Sequence, residues 1–547
     1  MSDKEVFAFL KDIGCCGGCC LRYLGLRSIN AYNDVKSYIS SNLQVSNVST
    51  NQNNTSQVAT SEHSGTEEKT VNGECKSSSN GCPELDDVEA GPPVKRRKWS
   101  VCTSCIGVLQ EETWEENVRK VQEVLNKKKY TCTTFGGGLS APISTTLREK
   151  CISLLLAEKF PEFKKPVTPL KEAWKWSFGL YLSKSINKTL ESAAYSPLLV
   201  VINMEYPDDL EELECLKLMT PRHFASRSRQ NRQNRFRELD FTRNSIEQAV
   251  LELSVSVLRE HWHCPPPTPT SSAVCISVTC THNPIYLGGR YIKLSRELPQ
   301  TPWTIRDVKM AETSIQEIMF EQIAKLFNIP QCDIDHRLKL LSAGREDVDV
   351  RCLGSGRPFA VEVSDPVLAP THTDLEQLCS NITSSNKIVI KNLKIVPKTD
   401  LALLKSGEET KTKVYEALCI KLTHSEYDTP SSKDAPIVVS EKDISNINNF
   451  TNVSDDSCQV LLQQKTPIRV LHRRSLHTRP RKIITVEARL VPDHPQLFVI
   501  RLRTEAGTYI KEWVHGDLGR TQPSLIDAIK AQVDILALDV CAVELDW

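Results

Sequence analysis

Along residues 115–127 and 145–159 the apolar positions recur every three or four residues, the spacing of amphipathic helices. "SPLLVVINMEY", residues 196–206, is a nearly continuous apolar run of strand length. These stretches predict one mixed domain over residues 95–300. After Trp303 the pattern changes: "TIRDVKMAETSIQEIMFEQIAKLF" sets Ile315, Ile318, Met319 and Ala324 on one helical face. Strand-like runs follow: "LKLL", "FAVEV", "IVIKNLKIV", "VYEALCIKL", "KIITVEARLV", "LFVIRLRT" and "DVCAVELDW". Few helical stretches separate them, so the second half reads as a large mixed sheet carrying helices, and the chain as α+β. No repeat of the solenoid type interrupts this plan.

Two polar stretches break the periodicity. Residues 41–94 are rich in Ser, Asn, Thr, Gly and acids, and are predicted to be a disordered insertion, because they hold too little apolar surface to order themselves. Residues 425–457 read the same way, and "HCPPPTPTSS" reads as an extended connector. The expected plan is then an N-terminal helix and cysteine knuckle over 1–40, the insertion, a mixed domain over 95–300, and a second domain over 301–547.

Composition narrows the partners. Of 547 residues, 40% are hydrophobic and 25% charged, ordinary globular values for two to four domains. Lys and Arg together number 68, as do Asp and Glu, so any basic surface has to be local. The start, "MSDKEVFAFLKDIGCC", lacks the basic and long apolar regions of a signal peptide. No apolar run approaches the ~20 residues that span a bilayer. The 20 cysteines are therefore expected to be reduced thiols, in a nuclear or cytoplasmic setting away from membranes. "KRRK", Lys95–Lys98, is a candidate nuclear import signal.

The cysteines fall into pairs. "CCGGCC" contains Cys16-x2-Cys19, and "VCTSC" contains Cys102-x2-Cys105. Two such knuckles supply four thiolates to one tetrahedral zinc, and the insertion occupies most of the sequence between them. Structural zinc is the expectation, against buried structural cysteines or a redox pair. Cys15 and Cys20 leave other registers open at the first knuckle.

Two basic stretches point to an extended anionic ligand. "RHFASRSRQNRQNRFRELDFTR" carries Arg222, Arg227, Arg229, Arg232, Arg235, Arg237 and Arg243, with Phe224 and Phe236 interleaved. "RVLHRRSLHTRPRK", Arg469–Lys482, precedes a strand. Arginines can bind phosphates bidentately, and aromatics can stack on unpaired bases. Each stretch alone also suits a solvated face. Together, in separate domains of a neutral chain, they predict contact with nucleic acid.

"GREDVDVR", Gly344–Arg351, puts Asp347 and Asp349 between runs that look like core. Lys413 and Tyr415 open the "KVYEALC" strand, and in "EAGTYIKEWVHGDLG" Gly507 and Thr508 end a strand before a helix carrying Lys511. Spacing alone leaves acid/base work and a salt bridge both open. The lack of a nearby His or carboxylate cluster points away from metal.

"GREDVDVRCLGSGRPFAVEV", with the preceding "YLGGRYIKLSRELPQTPW" (Tyr286–Trp303) and the later "GTYIKEWVHGDLGRTQPS", resembles the catalytic half of the archaeal and eukaryotic tRNA pseudouridine synthases of the Pus-ten family. The last motif is also similar to "GTYIR…DLG" of the bacterial TΨC-loop synthase. The resemblance implies a mixed, mainly antiparallel sheet with flanking helices. It implies a cofactor-independent isomerase that turns uridine into pseudouridine in the TΨC arm of tRNA. The family's catalytic aspartate follows Gly-Arg-x and falls on Asp347. Its tyrosine, in Lys-x-Tyr, falls on Tyr415, and the basic partner of the aspartate falls on Lys511. Arg345, Tyr415, Arg469, His472, Arg473 and Arg474 are the expected substrate contacts. Asp349 is expected to be a structural carboxylate and Tyr509 a packing residue.

The N-terminal half resembles the family's THUMP-containing RNA-binding domain, an α/β unit with zinc on two CxxC pairs. There an Arg-aromatic dipeptide follows the first pair, as Arg22-Tyr23 does here, which favours Cys16, Cys19, Cys102 and Cys105 as ligands. No organic cofactor is implied, and a monomer is expected. The rival readings are a non-catalytic RNA-binding protein that kept the fold, and a different THUMP-bearing modifier. The first should have lost Asp347, and the second should carry a Gly-rich or SGGxDS loop that "TFGGGLS" does not match.

Overall fold

The computed structural model describes residues 2–43, 99–224, 241–410, 412–427, 435–450, 460–472 and 474–547. Nearly all of the 41–94 insertion, "KRRK", Arg473, and the arginines from Arg227 to Arg237 lie outside the described residues. The chain divides into two units: residues 1–120, 138–186 and 202–278, and residues 121–137, 187–201 and 279–547. The last crossing is thus at 278/279, earlier than the expected boundary at 300. The reason is that strand Ile285–Lys293 belongs to the large sheet of the second unit.

The first unit opens with four helices, Asp3–Asp12, Gly17–Tyr23, Ile29–Asn33 and Val35–Asn42, where a single one was expected. Gly14, at φ +84°, ends the first, and a Cβ there would lie 2.9 Å from Thr103 Cγ2. The predicted helices appear as Trp114–Lys128, whose residues divide between the two units at 120/121, and Ser144–Lys159, within this unit. Leu147, Cys151 and Leu155 of the second pack on Leu213, Leu216, Ile246 and Leu258. The run at 196–206 forms strand Leu198–Glu205, whose alternate residues are buried.

The second unit is built on a ten-stranded sheet. One antiparallel half joins Ile388–Val396, Ile285–Lys293 and Arg351–Val363, with Leu338–Ser342 also paired to the last. The other half runs through Val533–Val543, Lys413–Lys421, Leu497–Thr504, Thr478–Leu490, Val460–Lys465 and Thr521–Gln522, again antiparallel. A parallel junction unites the halves, with Arg351 opposite Asp539 and Cys352 opposite Val540. Each half has its own core. Helices Ile315–Leu326 and His372–Thr383 cover the first, burying Met319, Phe320 and Leu378 on Leu287 and Phe359. Trp513, Leu525 and Ile529 cover the second, against Ala417, Ile500 and Val540.

Of the 425–457 stretch expected to be disordered, residues 428–434 and 451–457 lie outside the described residues, and the described part is ordered in one place. Helix Glu441–Asn448 lies within it, with Ile444 and Ile447 buried in the second core. Ser440 caps the helix reciprocally with Asp443, and buried Asp443 also accepts from Lys421 Nζ at 2.8 Å. Two apolar residues three apart are too weak a periodic signal to reveal such a helix in sequence. Among the described residues no helix is long and apolar enough to cross a membrane.

Candidate functional site

The parallel junction sets the site, because the 344–350 turn leads directly into Arg351. Gly344 adopts φ +88°, and a Cβ there would come within 3.0 Å of both Arg357 Nη1 and Lys413 Nζ. Only glycine lets the chain enter the turn between those two cations. Past it the side chains diverge. Buried Glu346 accepts from Arg357 Nε at 2.7 Å and from the Tyr291 hydroxyl at 2.8 Å. Gln300 Nε2 donates to that hydroxyl at 2.8 Å and to Gly344 O at 3.1 Å. Asp347 instead faces a cavity of about 600 Å³, which it lines with Arg345, Tyr415, Arg469, Arg474 and Lys511, among others. That volume suits a small ligand or a single extruded nucleotide.

Among the described residues Arg469 is the closest cation to Asp347, with Nη1 2.7 Å from Oδ2. Its Nε binds Glu512 at 2.6 Å, and Glu512 is buried, so the guanidinium bridges two carboxylates. Lys511 departs from the simple partnership expected. Its Nζ is 2.6 and 2.8 Å from the two oxygens of Asp349 but 3.8 Å from Asp347 Oδ2. Burial opposes ionisation of Asp349, but the bound Lys511 outweighs it and holds the carboxyl below its ordinary range. Asp349 is 63% exposed and does not line the cavity; it is a pairing carboxylate at the outer side of the site, satisfied by Lys511.

Tyr415 lies on strand Lys413–Lys421, whose alternate residues are buried from Lys413 onward. Burial pushes its phenol up to about 12, so the ring is neutral at physiological pH. Strand Leu497–Thr504 stops before Gly507 and Thr508, which form the loop leading to helix Ile510–His515. Tyr509 lines the cavity, accepting from Arg474 Nη1 at 3.3 Å while its backbone is gripped at both ends by the Gln464 amide. His472 is exposed and does not line the cavity.

The cysteine pairs converge in the first unit. The sulfurs of Cys16, Cys19, Cys102 and Cys105 all lie within 4.8 Å of one another and could hold a metal ion. Cys16 Sγ is 3.8 Å from Cys105 Sγ, close to the edge of a tetrahedron with metal–sulfur bonds of about 2.3 Å. The Cys16 N–H donates to Cys102 Sγ at 3.1 Å, and buried Arg22 places Nη1 3.7 Å from Cys19 Sγ while also pairing with Glu149. Of the flanking thiols, Cys15 lies beside Cys102 and contacts the Thr103 hydroxyl without joining the four-sulfur group, and Cys20 points toward Cys15 O.

Glu346, Glu512, Arg357 and Arg481 belong to the site but were not singled out from sequence. Arg481 sits inside the basic Arg469–Lys482 run, which was the available signal. Glu512 had none, since its partner Arg469 is 43 residues away.

Residues 286–544 match the family model described as Pus10, C-terminal, and residues 102–280 match Eukaryotic Pus10, N-terminal. The Homo sapiens protein named tRNA pseudouridine synthase Pus10 is 32% identical over 460 residues, covering 83% of this chain and 80% of its own length. The Xenopus laevis protein of that name is 33% identical over 453 residues, 82% of this chain and 81% of its own. A Thermofilum pendens protein of that name is 32% identical over 264 residues, 48% and 53% of the two chains. The solved Cbf5-Nop10-Gar1 complex aligns over 46% of this chain and 47% of that one, at 16% identity and a TM-score of 0.23, which decides nothing here. With both family models matched and relatives aligned over most of its length, this chain belongs to the Pus10 family.

Proposed function

We propose that this protein is a tRNA pseudouridine synthase acting on a uridine of the TΨC arm, with Asp347 as its catalytic carboxylate. One observation carries the assignment of Asp347: it is the cavity-lining carboxylate held only by cations that also border the cavity, Arg469 and Lys511. Glu346, beside it, is occupied by Arg357 and Tyr291. The reaction is an isomerisation. The C1′–N1 bond breaks, the base turns, C1′–C5 forms, C5 loses a proton and N1 gains one. No atoms enter or leave overall, so no organic cofactor is required.

The target uridine is inaccessible in a folded loop and has to be flipped into the cavity. Asp347 then acts at the ribose side of the breaking bond. The Tyr415 ring packs against the base or sugar, and Lys413 and Arg469 supply positive charge near the detached uracil. Arg345, Arg474 and the rest of the Arg469–Lys482 segment bind the RNA backbone. The first unit, proposed to be of THUMP type, binds another part of the same tRNA. Its four cysteines hold a structural zinc, as their spacing and sulfur-rich donor set suggest.

The test is Asp347→Ala, assayed for pseudouridine on unmodified tRNA. Activity should vanish while tRNA affinity stays within about threefold, since phosphate contacts carry most of the binding. Substantial turnover by the folded variant would remove Asp347 from the chemistry.

A further inference from the structure

Three consecutive carbonyls of the Asp347 turn are held from behind by one short segment. Lys293 Nζ donates to Asp347 O at 2.9 Å and to Val348 O at 2.7 Å. Arg296 Nη1 donates to Asp349 O at 3.0 Å and to Leu538 O at 2.9 Å, and its Nη2 pairs with Asp539 at 2.6 Å. Leu538 and Asp539 belong to strand Val533–Val543, on the far side of the parallel junction. Lys293 is fully buried, and neither residue lines the cavity. They therefore do not meet the substrate.

We propose that Lys293 and Arg296 are positioning residues, a two-cation clasp that sets the backbone of residues 347–349 and so aims the Asp347 carboxylate into the cavity. The inference rests on the synthase reading above. A clasp is needed because the turn is crowded with like charge. Glu346, Asp347 and Asp349 lie within four residues, and their mutual repulsion favours opening the turn. Main-chain carbonyls held by cations oppose that opening without occupying the carboxylates. Burial lowers the Lys293 ammonium to about 8, against the pull of Glu346, Asp349 and Asp347, so it is mainly charged at neutral pH.

Lys293→Met keeps the buried volume and removes the donors. Arg296→Met acts at a side chain that is 34% exposed, and it serves as the test should the buried variant fail to fold. Each full-length variant would be compared with wild type for single-turnover pseudouridine formation, tRNA affinity and melting. The expected result is a rate at least about tenfold lower, with affinity within about twofold, because a small misplacement of the reacting group costs chemistry and not binding. The double variant should fall less than the product of the singles, since both hold one turn. Rates within about threefold of wild type in folded variants would overturn the clasp. So would rate losses that track falling affinity or melting temperature. Wild type forming no pseudouridine would overturn the synthase reading and the clasp with it. Active wild type with unaffected variants would sink the clasp alone.

Discussion

Asp347 and Asp349 are two residues apart, yet one borders the cavity and the other pairs with Lys511 outside it. Asp349→Ala tests that division. The carboxylate side of its ion pair is 63% exposed, so removing it should change stability by no more than about 1 kcal/mol in a denaturant titration. Lys511, already 3.8 Å from Asp347, would be free to move onto it, and pseudouridine formation should persist. The depressed Asp349 carboxyl also fixes a pH window. The pair's contribution is complete above an unfolded-state value of about 4 and is lost only as pH falls through the lower folded value. The melting difference between wild type and Asp349→Ala should therefore stay flat from pH 5 to 8. At this scale the motif made Asp347 legible. Arg469 was expected as a substrate contact, but its pairing with Asp347 was not legible, because 122 residues separate the two.

Among the elements, strand Lys413–Lys421 links site to scaffold. Its buried face begins with Lys413 in the cavity wall and ends with Lys421, which binds Asp443 at the start of helix Glu441–Asn448. Both partners of that pair are almost wholly buried, and Ser425 and Ser440 donate to Asp443 as well. Lys421→Met would leave a buried carboxylate without its cation and should cost about 3 kcal/mol. Adding Asp443→Leu should recover part of the loss, which two denaturant curves would show. Folded Asp443 lies below its usual range: burial opposes ionisation, but Lys421 and Ser440 outweigh it. The pair's contribution is thus also lost on acidification below about pH 4 and not at neutral pH. The strands of this region were readable by period, whereas the helix was not. Its burial depends on a lysine supplied by a distant strand.

At the scale of the whole molecule, the cysteine cluster and the basic segment make separate predictions. Purified protein should contain one zinc per chain, and a strong chelator should lower the melting temperature of the first unit, because ligand binding to the folded state is stabilising. Cys16→Ser and Cys105→Ser should lose the metal, while Cys15→Ser should keep it. Retention of full metal by Cys16→Ser would show that the register is wrong. Arg474→Glu with Lys482→Glu should weaken tRNA binding and reduce its salt dependence, since fewer counterions are released on association. An unchanged slope would make the segment an ordinary solvated face.

By itself the sequence determined what local pattern encodes: the long helices at 114–128 and 144–159, the alternating strands, the two cysteine knuckles and the Gly-Arg-x-Asp turn. Period and residue type suffice for these because the burial that selects them repeats within a few residues. The tertiary structure alone decided which groups meet. It brought Cys16 and not Cys15 to Cys105, Arg469 and Glu512 to Asp347, and Lys511 to an aspartate 162 residues away. In the second unit such pairings depend on the register of a sheet whose two antiparallel halves meet at a parallel junction, and on side chains reaching across it. Shifting that register by one residue would turn every side chain on a strand to its other face. No local pattern records the choice, so only the folded chain makes it.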